Sequence, residues 1–179
     1  MLGNPVNSLK NYPSITWPQF AVCNDHVTHA FEQLSRDLFI CEYLAEQCTP
    51  HSDHNNPGVE VYPILEPPHK DGSPRRRISF QAKYFENNLS YSKIKESMQQ
   101  AVNHFAGNLD VIYLFCNKTL TKTTKGYKDI EALLENAGIE LIPVSNEDVL
   151  SLVRKHNRTF YSFHDRTRGT TSASSLVGT

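Results

Sequence analysis

The segment Leu109–Phe115 constrains the fold more than any other part of this 179-residue chain. It is apolar at nearly every position, which is typical of a central strand covered on both faces. From this strand onward, helical and extended patterns alternate, with a helix over Tyr127–Asn136, a strand over Ile139–Val144 and a last helix capped by Asn146. The sequence therefore predicts an α/β fold in which helices flank a mixed, partly parallel central sheet.

Helical patterns also fill the first half of the chain. Apolar residues recur at helical spacing over Phe20–Gln47, which predicts one long helix or two helices with a break near Asn24–Asp25. Thr16 is the expected N-cap of this region. A further helix is expected to begin near Ser90 or Ser92 and to end at Gly107.

Length and composition fit a single domain. Hydrophobic residues make up 39% of the chain, which is enough for a core. We expect residues 16–155 to form an α/β domain, 1–15 an irregular lead-in, and 156–179 a linker-like tail of the kind that joins a domain to a longer chain. Because no run approaches the ~20 apolar residues of a membrane span and no signal peptide is apparent, we expect a cytoplasmic protein without membrane contact.

Two extended patterns, Gly58–Leu65 and Arg77–Phe85, are separated by a segment rich in proline and glycine. Both are β-branched and apolar at most positions, as strands are. The intervening segment predicts a turn near Lys70–Ser73, so the two strands are expected to form a hairpin.

Polar side chains in this hairpin suggest a metal site. Gln81 and Lys83 share one face of their strand, and Glu60 joins them if its strand presents it on the same side. Mg²⁺ takes oxygen ligands, which Glu60, the Gln81 amide and the Ala82 carbonyl could supply. Lys83 would then orient an attacking water and stabilise charge on a phosphoryl oxygen. The alternative is a cross-strand ion pair on a solvated face.

Charge is distributed unevenly along the chain. Residues 1–68 carry two basic and eight acidic side chains, whereas residues 69–128 carry eleven basic and four acidic ones. A basic surface attracts a polyanion and makes its binding salt-dependent, although scattered surface lysines are the alternative explanation. The candidate nucleic-acid contacts are Arg75, Arg76, Arg77, Lys93, Lys118, Lys122 and Lys125.

Three short motifs carry a resemblance to a known family. Pro57-Gly58-Val59-Glu60, Phe80-Gln81-Ala82-Lys83 and Phe31-Glu32-x-Leu34 resemble the restriction-endonuclease-like PD-(D/E)xK superfamily in its Mrr-like QxK form. The run Ile78–Phe85, the helix after it and the strand ending in Leu114–Lys118 are similar to the N-terminal nuclease domains of bacterial antiviral STAND ATPases.

The resemblance covers roughly Phe20–Val153 and implies a restriction-endonuclease-like sandwich. It implies that Glu60 is the metal-binding acid, that Gln81 replaces the second acid and that Lys83 is the motif lysine. Glu32 matches the helix glutamate of many members and would add a further catalytic and metal-binding group. The implied cofactor is Mg²⁺ or Mn²⁺, and the implied activity is DNA phosphodiester hydrolysis by the effector of an antiphage or restriction system.

Cutting both strands of a duplex normally takes two active sites, so a homo-oligomer is expected. The resemblance also implies fusion to, or activation by, a STAND-type ATPase sensor. Two other functions stay open: a catalytically inactive member that binds DNA through Arg75–Arg77 and the lysine-rich loop predicted over Asn117–Lys128, and an α/β interaction domain such as a TIR-like assembly module.

Overall fold

The computed structural model describes residues 15–44, 56–157 and Phe163, so the predicted lead-in and most of the predicted tail lie outside the described residues. The described residues form α1 (Trp17–Cys23), α2 (Val27–Tyr43), β1 (Ile64–Leu65), β2 (Arg77–Lys83), α3 (Tyr91–Phe105), β3 (Val111–Cys116), α4 (Lys125–Glu135), β4 (Glu140–Ser145) and α5 (Glu147–Lys155). None of these helices is long and apolar enough to cross a lipid bilayer.

The four strands form one mixed sheet in the order β1-β2-β3-β4. β1 is antiparallel to β2, whereas β2, β3 and β4 are parallel. Odd-numbered residues of β3 pack with α1, α2 and α5, and even-numbered residues pack with α3 and α4. All of β3 is buried, so the predicted α/β class and the central strand covered on both faces are confirmed.

Local signals set several helix ends. Thr16 caps α1 and Ser90 caps α3, each by accepting a hydrogen bond from the backbone N–H three residues later. The chain turns after α3 at Gly107, where φ is +80°. Because α1 and α2 are separate helices with a break at residues 24–26, the two-helix alternative is the correct one.

The predicted first strand is wrong over most of its length. Pairing with β2 as a regular strand is confined to Ile64–Leu65. Gly58 has φ +77°, outside the range of a strand, and Pro63 has no N–H to donate. The turn of the hairpin lies where it was expected, with Ser73 donating its backbone N–H to Asp71 at 3.0 Å.

The other element ends differ from the prediction by a few residues. β2 ends at Lys83 rather than Phe85. α4 begins at Lys125, because Thr124 caps it by accepting the backbone N–H of Tyr127 at 3.3 Å. Lys125 therefore lies on a helix and not in the loop after β3.

Asn146 precedes α5 without capping it, so that predicted cap is wrong. Its Oδ1 accepts a hydrogen bond from Trp17 Nε1 at 2.9 Å, and its Nδ2 donates to Thr119 Oγ1 at 3.0 Å. These contacts use the side chain that would otherwise bind the start of α5. The negative charges of Glu147 and Asp148 favour the first turn of this helix instead.

A buried carboxylate holds the base of the hairpin. Glu66 is only 5% exposed, and it accepts hydrogen bonds from the Arg76 side chain at 3.1 Å and from the Arg76 backbone at 3.0 Å. Its carboxylate also lies 2.7 Å from the His69 ring. Burial raises the pKa of Glu66, but these hydrogen bonds outweigh burial and lower that pKa overall. Arg76 in turn binds Glu140 at 2.8 Å and ties the hairpin to β4.

β4 forms one edge of the sheet and offers few backbone donors to solvent. The N–H groups of its even-numbered residues point toward β3, so those of residues 141, 143 and 145 point outward. Pro143 has no N–H, and the N–H of Ser145 donates to Asp148 at 3.1 Å. Such features protect an edge strand against pairing with another chain.

Candidate functional site

A polar cleft of ≈ 410 Å³ opens beside β2, between α2 and α3. Its walls come from α2, from the segment at residues 56–60, from β2 and from α3. The lining includes Glu32, Arg36, Glu60, Gln81, Lys83 and Ser97. The structure therefore brings all four predicted catalytic residues into one cleft.

β2 forms the floor of this cleft. Its even-numbered residues pack into the core beneath α2, so residues 79, 81 and 83 face α3. Gln81 is 5% exposed and Lys83 is half-buried at the end of the strand. The prediction that Gln81 and Lys83 share one face is confirmed.

The segment at residues 57–60 places Glu60 against β2 without forming a strand. Gly58 contacts α3 so closely that an added Cβ would lie 2.3 Å from each of two backbone atoms of that helix. The backbone N–H of Glu60 then donates to the Phe80 carbonyl at 2.8 Å. This hydrogen bond sets Glu60 beside Gln81, even though the expected strand is absent from these residues.

Glu60 and Gln81 are in direct contact. Gln81 Nε2 donates to Glu60 Oε1 and also to the Ala82 carbonyl at 3.2 Å. The Ala82 N–H donates to the same carboxylate oxygen at 3.4 Å. The amide nitrogen thus lies between two oxygens.

This donor set fits a hard divalent cation. Rotating the Gln81 amide by 180° exchanges its nitrogen and oxygen and brings three oxygens together, from Glu60, Gln81 and Ala82. Mg²⁺ and Mn²⁺ prefer such oxygen ligands. Among the described residues, no group of three or more His, Cys, Asp or Glu side chains is arranged to hold a metal, so amide and carbonyl oxygens would have to contribute.

Glu60 and Lys83 are partly buried in the cleft, and burial disfavours the charged form of each. Burial raises the pKa of Glu60, and the nearby charge of Glu32 raises it further, while Lys83 and Arg36 oppose this change. Burial lowers the pKa of Lys83, although Glu60 and Glu32 favour its charged form. Perturbed pKa values of opposite kinds in one cleft are typical of a functional site.

Glu32 lies on α2, at the wall of the cleft. Its carboxylate is 3.6 Å from the His29 ring, one turn earlier on the same helix. Because Glu32 raises the pKa of Glu60 through its charge, the two carboxylates are close enough to interact. Both carboxylates line the same cleft, and Glu32 as a further metal ligand stays a prediction.

Arg36 is a cleft residue that the sequence analysis missed. Its Nη2 donates to the backbone carbonyl of Glu60 at 3.4 Å. Residues 29, 32, 33 and 36 all line the cleft, so they form a polar face of α2 at helical spacing. This second face, separate from the apolar one, is the sequence signal that could have identified Arg36.

The three arginines of the hairpin lie away from the cleft. Arg77 and Lys83 are the two ends of β2, about 20 Å apart at the usual rise per strand residue. Arg75 donates to the Glu66 carbonyl at 2.5 Å, and Arg76 is bound to the Glu66 carboxylate. Contact between these arginines and nucleic acid stays a prediction.

The predicted lysines are closer to the cleft. Lys93 lies near the start of α3, where its charge lowers the pKa of Lys83. Lys118 comes two residues after Cys116, which pairs with Lys83, and its Nζ donates to the Glu86 carbonyl at 3.4 Å; Lys122 follows later in the same loop. Lys125 is ion-paired within α4. Their contacts with nucleic acid stay predictions.

Comparison with known proteins adds no family to this description. No protein-family model and no curated protein matches the chain. The resemblance carried by Glu60, Gln81 and Lys83 therefore stays an interpretation of those residues, and the function is inferred from the cleft.

Replacing Glu60 with glutamine is expected to stabilise the fold at neutral pH. Because the folded-state pKa of Glu60 is raised above the ordinary value of 4.5, its contribution to stability is present below that value and is lost as pH rises through the folded-state pKa. Glutamine keeps an oxygen that can accept from Gln81 and Ala82, and it removes the repulsion from Glu32. We expect the free energy of unfolding to rise by roughly 0.5–2 kcal/mol at pH 8, the usual gain from a stabilising substitution.

Urea unfolding of Glu60→Gln and the parent protein at pH 4 and pH 8 measures this effect. The difference should be small at pH 4 and should favour the variant at pH 8. Glu135→Gln, which removes an exposed charge from α4, is the matched control and should change little at either pH. A Glu60→Gln variant less stable than the parent at pH 8 would contradict the expectation.

Proposed function

We propose that this protein is a metal-dependent DNA endonuclease that hydrolyses phosphodiester bonds in the cleft between α2 and α3. The observation that carries the proposal is the convergence of the Glu60 carboxylate, the Gln81 amide and the Ala82 carbonyl, with Lys83 on the same face of β2. This arrangement combines oxygen donors for a cation with a fixed positive charge. Phosphodiester hydrolysis requires both, because charge grows on the phosphoryl oxygens as water attacks.

Each residue has a distinct role in the proposal. Glu60, the Gln81 amide and the Ala82 carbonyl would hold Mg²⁺ or Mn²⁺, with Glu32 as a further donor from α2. When bound, the metal ion activates water and offsets the charge of the phosphate. Lys83 donates to a phosphoryl oxygen or orients the attacking water. Its partial burial strengthens that interaction, because the effective dielectric constant inside a cleft is lower than in water.

From the resemblance of the motifs, we further propose that the chain adopts a restriction-endonuclease-like sandwich and acts as a cytoplasmic effector of antiphage defence or restriction. Its active form would be a homo-oligomer, with a STAND-type ATPase as fusion partner or activator. The mixed sheet with helices on both faces supports this fold. The excess of basic residues over residues 69–128 supports a polyanionic substrate.

Cleavage of supercoiled plasmid tests the proposal. We expect nicked and then linear plasmid with Mg²⁺ or Mn²⁺, and intact plasmid with EDTA. Glu60→Gln removes a charged oxygen donor while keeping the shape of the side chain, so its cleavage should fall by about 100-fold or more. Glu135→Gln should cleave like the parent protein. Cleavage that continues in EDTA, or in Glu60→Gln at the parent rate, would contradict the proposal.

A DNA-binding module without nuclease activity is the second candidate. Gln81 favours it, because this neutral side chain leaves Glu32 and Glu60 as the carboxylates in the described part of the cleft. Such a module would bind oligonucleotides with an affinity that falls as salt rises. It would yield no cleaved plasmid at any Mn²⁺ concentration.

A further inference from the structure

The side chain of Arg36 is half-buried, but its guanidinium has few hydrogen-bond partners among the described residues. Its one hydrogen bond in the described residues runs to the Glu60 backbone carbonyl and is long, at 3.4 Å. Arg36 forms no ion pair with any carboxylate that the structure describes. Arg76, by contrast, is bound to Glu66 and Glu140 at 3.1 Å and 2.8 Å. Most of the hydrogen-bonding capacity of Arg36 is therefore available to another molecule.

The carboxylate of Glu60 does not take up this capacity. Gln81 and the Ala82 N–H already donate to Glu60 Oε1, and Arg36 reaches the backbone of Glu60 from the other wall of the cleft. Arg36 and Lys83 line the same cleft as Glu60, and the charge of each lowers the pKa of Glu60, so both cations lie near that carboxylate. An anion entering the cleft beside Glu60 would meet both.

The shape of the guanidinium selects the kind of anion. Arginine presents five N–H donors in a planar fork, which matches two oxygens of a phosphate group. A half-buried cation without an ion pair is unfavourable, and an anionic ligand relieves that cost. The other cleft residues of α2, His29, Glu32 and Gln33, are polar, so the wall around Arg36 suits a backbone phosphate rather than an apolar group.

We propose that Arg36 binds the substrate phosphate next to Glu60, through the non-bridging oxygens of a nucleic-acid strand. The proposal rests on the proposed function and adds a residue that the motifs do not include. Arg36 holds the phosphate from α2, while Lys83 contacts it from β2. α2 thereby contributes a phosphate-binding cation as well as the carboxylate of Glu32.

Binding of a fluorescently labelled single-stranded oligonucleotide in EDTA tests this proposal without any cleavage. Arg36→Ala should raise Kd by about 10-fold, equivalent to ~1.4 kcal/mol, and should reduce the slope of log K against log salt by about 0.7, the value for one phosphate contact on a single strand. The Kd of Arg36→Lys should lie between that of the parent protein and that of Arg36→Ala, because lysine keeps the charge but lacks the planar fork of N–H donors. Arg154→Ala is the matched control, since Arg154 is an exposed arginine of α5 outside the cleft, and it should change neither value.

The outcomes separate this inference from the nuclease proposal. Unchanged affinity and salt slope in Arg36→Ala, or equal losses in Arg154→Ala, would overturn the phosphate site even if the parent protein cleaves plasmid. Weaker binding by Arg36→Ala in a protein that cleaves no plasmid would support the phosphate site and overturn the nuclease. A parent protein that does not bind the oligonucleotide would overturn the phosphate site, and plasmid cleavage with metal would then decide the nuclease proposal separately. Urea unfolding checks that each variant is folded. If Arg36→Ala is not folded, Arg36→Lys tests whether the planar guanidinium is needed for binding.

Discussion

Lys83→Met is expected to lower the rate of plasmid cleavage at saturating DNA by about 100-fold or more, with a much smaller loss of affinity for DNA. Methionine keeps the apolar stem of the lysine, so the half-buried position at the end of β2 stays packed. The variant loses the positive charge that the transition state needs in the cleft. Initial rates over a range of plasmid concentrations give kcat and KM separately.

Lys93→Ala is the matched control for Lys83→Met. Lys93 is an exposed lysine of α3 near Lys83, and the nuclease proposal gives it a role in holding the DNA backbone. Its loss should raise KM and weaken the salt dependence of binding while leaving kcat nearly unchanged. Equal effects of the two substitutions on kcat would show that Lys83 contributes only general positive charge.

The pH dependence of cleavage distinguishes two roles for Lys83. Burial lowers its pKa, so its ammonium form is lost at a lower pH than that of an ordinary lysine, whose pKa is 10.5. Because the proposed role of Lys83 is to stabilise negative charge, we expect activity to need the ammonium and to fall on the alkaline side. Lys83→Arg should then keep activity to a higher pH. Activity that rises with pH in the parent protein and is lost in Lys83→Arg would instead indicate a neutral lysine acting as a base.

Gly58→Ala is expected to destabilise the fold by about 3 kcal/mol and to abolish cleavage. An alanine Cβ would lie 2.3 Å from Ala101 N and from Ser97 O, and backbone atoms of a helix cannot move aside as a side chain can. The positive φ of Gly58 adds strain for any residue with a Cβ. Relief requires the segment at residues 57–60 to move away from α3, which separates Glu60 from the Phe80 carbonyl.

Gly72→Ala separates the strain of a positive φ from the steric clash with α3. Gly72 has nearly the same φ, +74° against +77°, but an added Cβ meets no atom within 4 Å. Its substitution should therefore cost about 1 kcal/mol, from the backbone conformation alone, and should leave cleavage intact. Urea unfolding and plasmid cleavage on both variants make the comparison. Equal destabilisation by the two substitutions would show that close packing against α3 is not what fixes Gly58.

The elements that could be predicted from the sequence are those set by local chemistry. α3 begins at the Ser90 cap and is followed by Gly107 in a left-handed conformation, both within a few residues of the helix itself. The unbroken apolar run of β3 predicts a buried strand. The shared face of Gln81 and Lys83 follows from the period of a strand alone.

The features that could not be predicted depend on contacts distant in sequence. Asn146 looks like a cap, but it bonds to Trp17, 129 residues away, and no local pattern reveals that partner. The segment carrying Glu60 has the composition of a strand, yet Gly58 packs on α3, and a backbone hydrogen bond from Glu60 to Phe80 joins this segment to β2 without regular strand pairing. The cleft therefore depends on packing between α3 and an irregular segment, which periodicity does not detect.

The edge strand β4 affects how copies of this protein can associate. Chains held at high local concentration tend to join through exposed strand edges and to aggregate. Of the three outward positions of β4, only Leu141 has an N–H to offer to a neighbouring strand, because Pro143 lacks one and Ser145 donates to Asp148. Copies gathered side by side would find few free backbone donors along β4, so this edge does not favour fusion of their sheets.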